Sequence, residues 1–221
     1  MTYHEVMDRV GAAARRAGRD PHDVTVVAVS KTMGHDEIME VYEAGHRDFG
    51  ENRAQELAAK APELPGDIRW HFVGSLQSNK ARLVRGTTFL LHSMDRRSLG
   101  SAWMKGPGMP PPVLVQVNTG DEAQKSGISP DEVPATLQWT ARLGLDVRGL
   151  MAIPPIPDDP EDSRPHFRLL RQLRDETAIE HPSVTLLSIG MTDDFEVAIE
   201  EGASLIRVGR AIFGQRKPTG A

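Results

Sequence analysis

Short apolar runs alternate with stretches of helical spacing along most of this chain. The runs are rich in β-branched residues and predict eight strands, at 24–29, 47–49, 69–73, 89–91, 113–117, 147–152, 184–188 and 205–208. Between most of them, apolar residues recur at the spacing of one helix face. Such stretches include 36–44, 53–61, 163–177 and 195–201, after an opening helix over 6–17. The clearest helix start is 129–132, where a serine cap precedes proline and a glutamate placed to complete a capping box.

Strict alternation of strands and helices predicts an α/β fold with parallel strands joined by crossover helices. Eight strands favour a single closed (β/α)₈ barrel of the TIM type, with an open doubly wound sheet as the alternative. The whole chain, residues 1–221, is then one domain near the short end of the barrel's size range. The Pro- and Gly-rich segments 106–112 and 154–160 lie between units of the same pattern, so we expect loops there and not linkers.

In such barrels the chemistry lies at the carboxyl ends of the strands. The strand pattern therefore predicts which residues share one mouth. They are Ser30, Lys31, 50–52, Gly74, Ser75, His92, Asn118, Met151, 188–191 and 207–210.

The composition excludes several classes of protein. The chain has a formal net charge of −5 and no cysteine, so nothing favours nucleic-acid binding, and disulfides and thiolate metal sites are excluded. The histidines are scattered without metal-ligand spacing, so we expect no metal site. Residues 1–5 do not begin a signal peptide, and no apolar run approaches the roughly 20 residues that cross a bilayer. We therefore expect a cytoplasmic protein without membrane contact.

Lys31 follows the first predicted strand directly. An ammonium at the end of a buried strand is desolvated, which lowers its pKa and makes the neutral amine available for a Schiff base with an aldehyde. The alternative is a lysine whose head group extends into water.

Two late segments have the pattern of an anion site. Segments 188–194 and 207–214 each leave a strand, turn through glycine and open a helix, which brings backbone N–H groups and a helix dipole to a ligand. The acidic pair Asp193-Asp194 slightly opposes this interpretation and also fits stabilisation of a first helical turn. Two such turns at adjacent strand ends favour phosphate.

Three further features of the sequence can each be interpreted in more than one way. Arg207, in an apolar strand, fits a salt bridge to a barrel carboxylate, such as Asp48 or Glu51. It equally fits a guanidinium that donates to a ring nitrogen or another acceptor on a ligand. His71 fits a hydrogen-bonded core histidine better than a base. The segment 124–127 fits a mobile loop over the mouth or a solvated turn.

Seven segments together resemble the pyridoxal 5′-phosphate (PLP) homeostasis proteins of the YggS/PROSC type. They are 28–32, 49–52, 71–80, 125–127, 149–154, 188–194 and 207–214, in order over nearly the whole chain. The resemblance implies a barrel similar to the N-terminal domain of alanine racemase, with PLP held as a Schiff base on Lys31. It also implies that Asn52 lines the cofactor face and that Arg207 faces the pyridine nitrogen. The phosphate cradle that it implies consists of Ser188, Gly190, Gly209 and Arg210.

Three positions depart from the family's pattern. Arg53 stands where an aromatic residue is common in the family. Met33-Gly34 stands where a proline often follows the segment with the lysine. Arg210 replaces a common threonine, which puts a side-chain hydroxyl contact to phosphate in doubt but adds positive charge.

The resemblance leaves a carrier and an enzyme as alternatives. We favour a monomeric carrier without catalytic residues that stores, buffers or delivers PLP, with PLP-dependent apoenzymes as candidate recipients. The alternative is a PLP enzyme of the racemase type, which needs a base on each face of the substrate. The second base of such enzymes is a tyrosine from a further β domain, which we expect this chain to lack, and Tyr3 and Tyr42 fall on predicted helices. A third alternative is a sugar-phosphate barrel that uses Lys31 as an aldolase does.

Overall fold

The computed structural model describes residues 1–120 and 126–214. Within them, eight parallel strands close into a barrel in which each strand pairs with the next and the last pairs with the first. The strands are β1 (Thr25–Val29), β2 (Asp48–Glu51), β3 (Arg69–Phe72), β4 (Thr88–Met94), β5 (Val113–Val117), β6 (Val147–Ala152), β7 (Leu186–Ser188) and β8 (Leu205–Val208). The predicted (β/α)₈ barrel is confirmed.

Helices surround the barrel. The α-helices are α1 (Tyr3–Arg16), α2 (His35–Glu43), α3 (Ala54–Lys60), α4 (Ala81–Val84), α5 (Arg97–Met104), α6 (Val133–Leu143), α7 (Arg164–Ala178), α8 (Phe195–Glu200) and α9 (Arg210–Phe213). Short 3₁₀ helices cover Pro21–Asp23, Ala61–Glu63, Ser78–Lys80, Pro130–Glu132 and Pro160–Ser163. The predicted capping box is present, since the Glu132 carboxylate accepts from the backbone N–H of Ser129 at 2.8 Å.

The strand bounds differ most from the prediction at β4. The apolar run there ends at Leu91, but the strand continues to Met94 because the polar residues His92 and Ser93 are also buried. The strand predicted from hydropathy was therefore too short, because polar side chains inside the barrel continue it.

Two apolar layers hold the barrel together. A small cluster fills its interior and includes Val27, Leu114 and Met151. A larger one lies between the strands and the helices, where bulky side chains such as Phe49 and Trp103 are fully buried. Because every strand of a parallel barrel is covered on both faces, the strands read as nearly continuous apolar runs.

The remaining predictions concern the loops, the extent of the domain and the membrane. Segments 106–112 and 154–159 are irregular and connect elements of the barrel, as expected of loops, and Pro160 begins a 3₁₀ helix. The segment 124–127 falls partly outside the described residues, so its two interpretations, and the domain extent 1–221, stay predictions. Among the residues that are described, no helix is long and apolar enough to pass through a membrane.

Candidate functional site

A cavity of about 390 Å³ opens at the carboxyl ends of the strands. Its size is within the range of small-molecule sites, roughly 300–1,000 Å³. The described residues that line it are Val29, Lys31, Met33, Asn52, Val73, Gly74, Ile153, Ile156, Pro157, Met191, Thr192, Asp193, Asp194, Arg207, Gly209, Arg210, Phe213 and Gly214. The ends of β1, β2, β3, β6, β7 and β8 therefore converge on one space, as the strand-end rule predicts.

Five of the seven predicted site residues line this cavity. They are Lys31, Asn52, Arg207, Gly209 and Arg210. Ser188 and Gly190 are not among the lining residues, and both are buried behind the cavity wall. The same turn after β7 instead brings Met191 and Thr192 to the cavity. The hydroxyl of Thr192 was available in the sequence as the polar side chain of a glycine turn, but nothing in the pattern favoured it over Ser188.

A group of charged side chains supports the turn that carries Lys31. The ammonium of Lys60 donates to Glu51 Oε1 at 2.8 Å, to the Ser30 carbonyl at 2.8 Å and to Glu56 Oε1 at 2.7 Å. The Ser30 hydroxyl also donates to Glu51 Oε1, at 2.8 Å. We call Ser30, Glu51, Glu56 and Lys60 the Lys60 cluster. It ties the end of β1 to the end of β2 and to α3, directly beside Lys31.

Glu51 is the buried member of this cluster. Its side chain is 0% exposed, and its Oε2 has no hydrogen-bond partner among the described residues. Burial raises the pKa of the Glu51 carboxyl, and the hydrogen bonds from Lys60 and Ser30 offset part of this shift. The carboxylate therefore depends on Lys60 for its charge.

The turn after β7 is rigid. Gly190 has φ of 88°, and a Cβ there would lie 2.5 Å from the Cβ of Ala198, so this position requires glycine. Asp194 accepts from the backbone N–H of Met191 at 2.7 Å and from the Ser163 hydroxyl at 2.7 Å. These contacts hold Met191 and Thr192 in place at the cavity edge.

The neighbouring turn after β8 brings a positive charge to the same edge. Gly209 lines the cavity, and a Cβ there would lie 3.1 Å from the Val29 carbonyl oxygen. Arg210 is exposed and donates to Asp193 Oδ2 at 2.7 Å. Asp193, which opposed the anion-site interpretation, is thus paired with the arginine of the adjacent turn. Asp194 precedes α8 at the N-cap position, but its side chain makes no capping hydrogen bond to that helix.

Arg207 is a buried arginine at the cavity floor. It donates from Nη1 to the Ser188 hydroxyl at 2.6 Å and carbonyl at 2.7 Å, and from Nη2 to the Ala152 carbonyl at 2.9 Å. Burial lowers the pKa of the guanidinium to about 10, so it remains charged at neutral pH. Neither suggested carboxylate is its partner, since Asp48 accepts from Arg69 and His71, and Glu51 from Lys60. The salt-bridge interpretation of Arg207 is therefore wrong.

His71 is a hydrogen-bonded core histidine. It is 1% exposed and lies between Asp48 and His92. Nowhere in residues 1–120 and 126–214 do three or more metal-ligating side chains form a group that could hold a metal ion.

The fold and the cavity define the class of this protein: a (β/α)₈ barrel with a cavity of small-molecule size between a lysine and a basic edge. No model of a protein family matches the chain. It is 42% identical over 219 residues to the pyridoxal phosphate homeostasis protein of Aquifex aeolicus, with 96% of each chain covered. The chain therefore belongs to the family of pyridoxal phosphate homeostasis proteins, which confirms the resemblance found in its sequence.

Solved structures agree with this assignment. PipY of Synechococcus elongatus, with PLP bound, has a TM-score of 0.76 and 32% identity, covering 95% of this chain and 100% of its own. The arginine decarboxylase of Paramecium bursaria Chlorella virus has a TM-score of 0.72 at 12% identity, with 95% of this chain and 62% of the decarboxylase covered. That likeness shows the fold alone, and the barrel is of the alanine racemase type that was expected.

Proposed function

We propose that this protein binds PLP as a Schiff base on Lys31 and contributes to intracellular PLP homeostasis by storing, buffering or delivering the cofactor. The observation that carries the proposal is that Lys31, Arg207 and the two glycine turns line one cavity of suitable size. The family membership and the PLP bound to PipY support it. PLP supplies an aldehyde that condenses with amines and a ring that withdraws electrons from them.

The residues present fit this cofactor. The Oδ1 atom of Asn52 is buried without a hydrogen-bond partner among the described residues, beside the cavity that Asn52 lines. A buried orphaned acceptor of this kind is satisfied by a ligand donor. Gly209 lines the cavity, and its lack of a side chain leaves its backbone open to a close ligand there. Arg210 supplies positive charge for a ligand with a phosphate group, and Arg207 supplies donors for an acceptor on the ring.

Each residue has a proposed role. The neutral amine of Lys31 adds to the aldehyde carbon and one water leaves, so that a C=N bond replaces the C=O bond. Arg207 donates to the ring nitrogen, and Asn52 faces the ring. The turn of Gly209 and Arg210 contacts the phosphate. Ser188 and Gly190 form the strand end and the turn that carry Thr192 to the same anion.

We favour a carrier without a dedicated amino-acid substrate over a racemase. A racemase needs a second base opposite the lysine. Tyr3 lies within hydrogen-bond distance of His46 at 3.4 Å, and Tyr42 donates to Asp67 at 2.8 Å, both away from the cavity lining. A guanidinium beside the ring nitrogen also keeps that nitrogen unprotonated, which weakens the electron sink that a carbanion needs. Weak turnover of amino acids remains compatible with a carrier.

The proposed location, oligomeric state and partners follow from the sequence. We propose a cytoplasmic monomer, in keeping with the cysteine-free composition, that takes PLP as its ligand and hands it to PLP-dependent apoenzymes. We propose residues 1–221 as one PLP-binding domain. Neither nucleic acid nor a membrane is part of this proposal.

Borohydride reduction of the PLP-loaded protein tests the Schiff base. We expect a visible absorption band before reduction and a pyridoxyl group on Lys31 in the peptide map afterwards. Lys31→Ala should lose both and keep weak binding through the phosphate contacts, while Lys80→Ala, a lysine outside the cavity, should behave as wild type. A pyridoxyl group on another lysine would refute the assignment of Lys31. Robust turnover of one substrate in a panel of D- and L-amino acids would refute the carrier role.

A further inference from the structure

A line of hydrogen-bonded polar side chains crosses the interior of the barrel. It starts at Asp48, at the amino end of β2, and ends at Arg207, at the cavity floor. Between them lie His71 on β3, His92 on β4 and Ser188 at the end of β7. The five side chains come from five different strands. Each is 7% exposed or less.

The contacts along this line are short. The Arg207 guanidinium is 2.6 Å from the Ser188 hydroxyl, which is 2.8 Å from His92 Nδ1. His92 Nε2 is 2.9 Å from His71 Nδ1, and His71 Nε2 is 3.0 Å from Asp48 Oδ1. Each side chain therefore has a partner on both sides, except at the two charged ends.

The two ends determine the direction of every hydrogen bond between them when both imidazoles are neutral. Arginine can only donate, so the Ser188 oxygen accepts from it and the Ser188 hydrogen points to His92 Nδ1. His92 Nδ1 is then a bare acceptor, and the His92 proton is on Nε2, where it points to His71 Nδ1. His71 in turn carries its proton on Nε2 and donates to the carboxylate of Asp48. In the opposite direction, the Ser188 hydrogen would have no acceptor among the described residues.

The electrostatics favour this neutral state of His92. Burial lowers the pKa of His92 well below its usual value, and the positive charge of Arg207 adds to the shift. At the far end, burial alone would raise the pKa of Asp48, but hydrogen bonds from Arg69 and His71 outweigh it and hold that pKa well below its usual value. A neutral His92 next to Arg207 and a charged carboxylate at the other end keep the direction of the chain as long as His71 is neutral too.

We propose that His92, acting through Ser188, is a positioning residue for Arg207 and thereby sets how the site receives the cofactor ring. Of the five N–H groups of Arg207, three are used by Ser188 and Ala152. The remaining two, Nε–H and one on Nη2, have no acceptor among the described residues and are left for a ligand acceptor such as an unprotonated ring nitrogen. Without the acceptor on His92, the Ser188 hydroxyl is free to rotate and to point its hydrogen at the guanidinium. This inference rests on the proposed binding of PLP.

The first test uses the protein without PLP. Nitrogen-15 NMR of the imidazole rings reports which nitrogen of each histidine carries the proton. We expect His92 to carry it on Nε2. A proton on His92 Nδ1 would overturn the proposed direction of the chain, whatever the protein binds.

The second test compares variants loaded with PLP. His92→Phe and Ser188→Ala should weaken PLP binding about tenfold, because each removes a hydrogen bond that supports a charged group. Both should also shift the visible band of the lysine-bound cofactor, because Arg207 no longer holds the ring nitrogen. His92→Asn, whose oxygen can accept from Ser188, should restore most of the affinity and the band. Ser93→Ala is the matched control, since its buried hydroxyl has no partner among the described residues.

The outcomes separate the two proposals. If the wild type forms no borohydride-stable bond with PLP, the proposed function fails, while the NMR result still decides the direction of the chain. If the wild type binds PLP and the affinity and band of Ser188→Ala equal those of Ser93→Ala, the positioning role of the chain is refuted. Ser188→Ala keeps the test decisive even if the larger change at His92 prevents folding.

Discussion

Replacing Lys60 by Met should destabilise the protein strongly at pH 7 and weakly at pH 5. Met has nearly the length of the lysine stem but cannot donate the three hydrogen bonds that Lys60 makes in the Lys60 cluster. Glu51, which is 0% exposed, then has no cation within the cluster. Removing one partner of a buried ion pair usually costs about 3–5 kcal/mol, because the other charge stays buried.

The cost has an upper bound, since Glu51 can bind a proton instead of remaining charged. Relative to an unfolded chain, whose glutamate has a pKa of 4.5, protonation costs about 1.4 kcal/mol per pH unit above that value. The bound is therefore about 3.4 kcal/mol at pH 7 and about 0.7 kcal/mol at pH 5. Because the pKa of Glu51 is raised, the native state binds more protons than the unfolded state above pH 4.5, so stability falls as the pH rises through this window. Lys60→Met extends the window to higher pH.

Urea unfolding followed by tryptophan fluorescence at the two pH values measures this difference. We expect a loss of up to about 3 kcal/mol at pH 7 and under about 1 kcal/mol at pH 5. The matched control is Lys80→Met, the same change outside the cluster. The double variant with Glu51→Gln should recover most of the loss, because no charge is left buried. Equal losses at both pH values, or no recovery by Glu51→Gln, would refute the reasoning.

Three further changes test other parts of the site. Gly190→Ala should cost about 2 kcal/mol or more in urea unfolding, since its Cβ would meet that of Ala198 at 2.5 Å and φ is 88°; a loss under about 0.5 kcal/mol contradicts this. Asp194→Ala removes the acceptor of the Met191 N–H. We therefore expect the free energy of unfolding to fall by about 1 kcal/mol and PLP to bind more weakly in a titration. An unchanged stability and affinity would contradict this prediction. The lowered pKa of Asp48 contributes stability that is complete above pH 3.8 and is lost as the pH falls. Asp48→Asn should therefore cost about 1–2 kcal/mol at pH 7 and much less at pH 3. Equal losses in unfolding experiments at both pH values would count against this reasoning.

The fold was predictable from the sequence because its determinants are local and repeated. Each strand of a parallel barrel is covered on both faces and leaves an apolar run, and each crossover helix leaves a helical spacing. The convergence of Lys31 and Arg207, far apart in the chain, followed from one rule about strand ends. The predicted strand bounds were least accurate where a buried polar residue interrupted an apolar run, as His92 does in β4.

The packing of polar side chains was not predictable in the same way. Ser188 ends β7 and Thr192 lies in the turn that follows it. Only the direction in which the chain leaves the strand decides that Thr192 lines the cavity and Ser188 accepts from Arg207. Likewise, Lys60 reaches from the end of α3 back to the end of β1. Such contacts join distant segments through side-chain geometry, which neither periodicity nor spacing encodes.

The turn that carries Lys31 shows where local sequence rules yield to tertiary contacts. Thr32 has φ of 68°, a left-handed conformation that costs about 1–2 kcal/mol for an ordinary residue and more for a β-branched one. Its N–H donates to Glu56 Oε1 at 2.5 Å, and the same oxygen accepts from Lys60. The cluster that neutralises Glu51 therefore also holds a strained backbone next to the lysine that we assign to the cofactor. Strain of this kind persists only where surrounding contacts outweigh it, and here the contact comes from Glu56 of the Lys60 cluster.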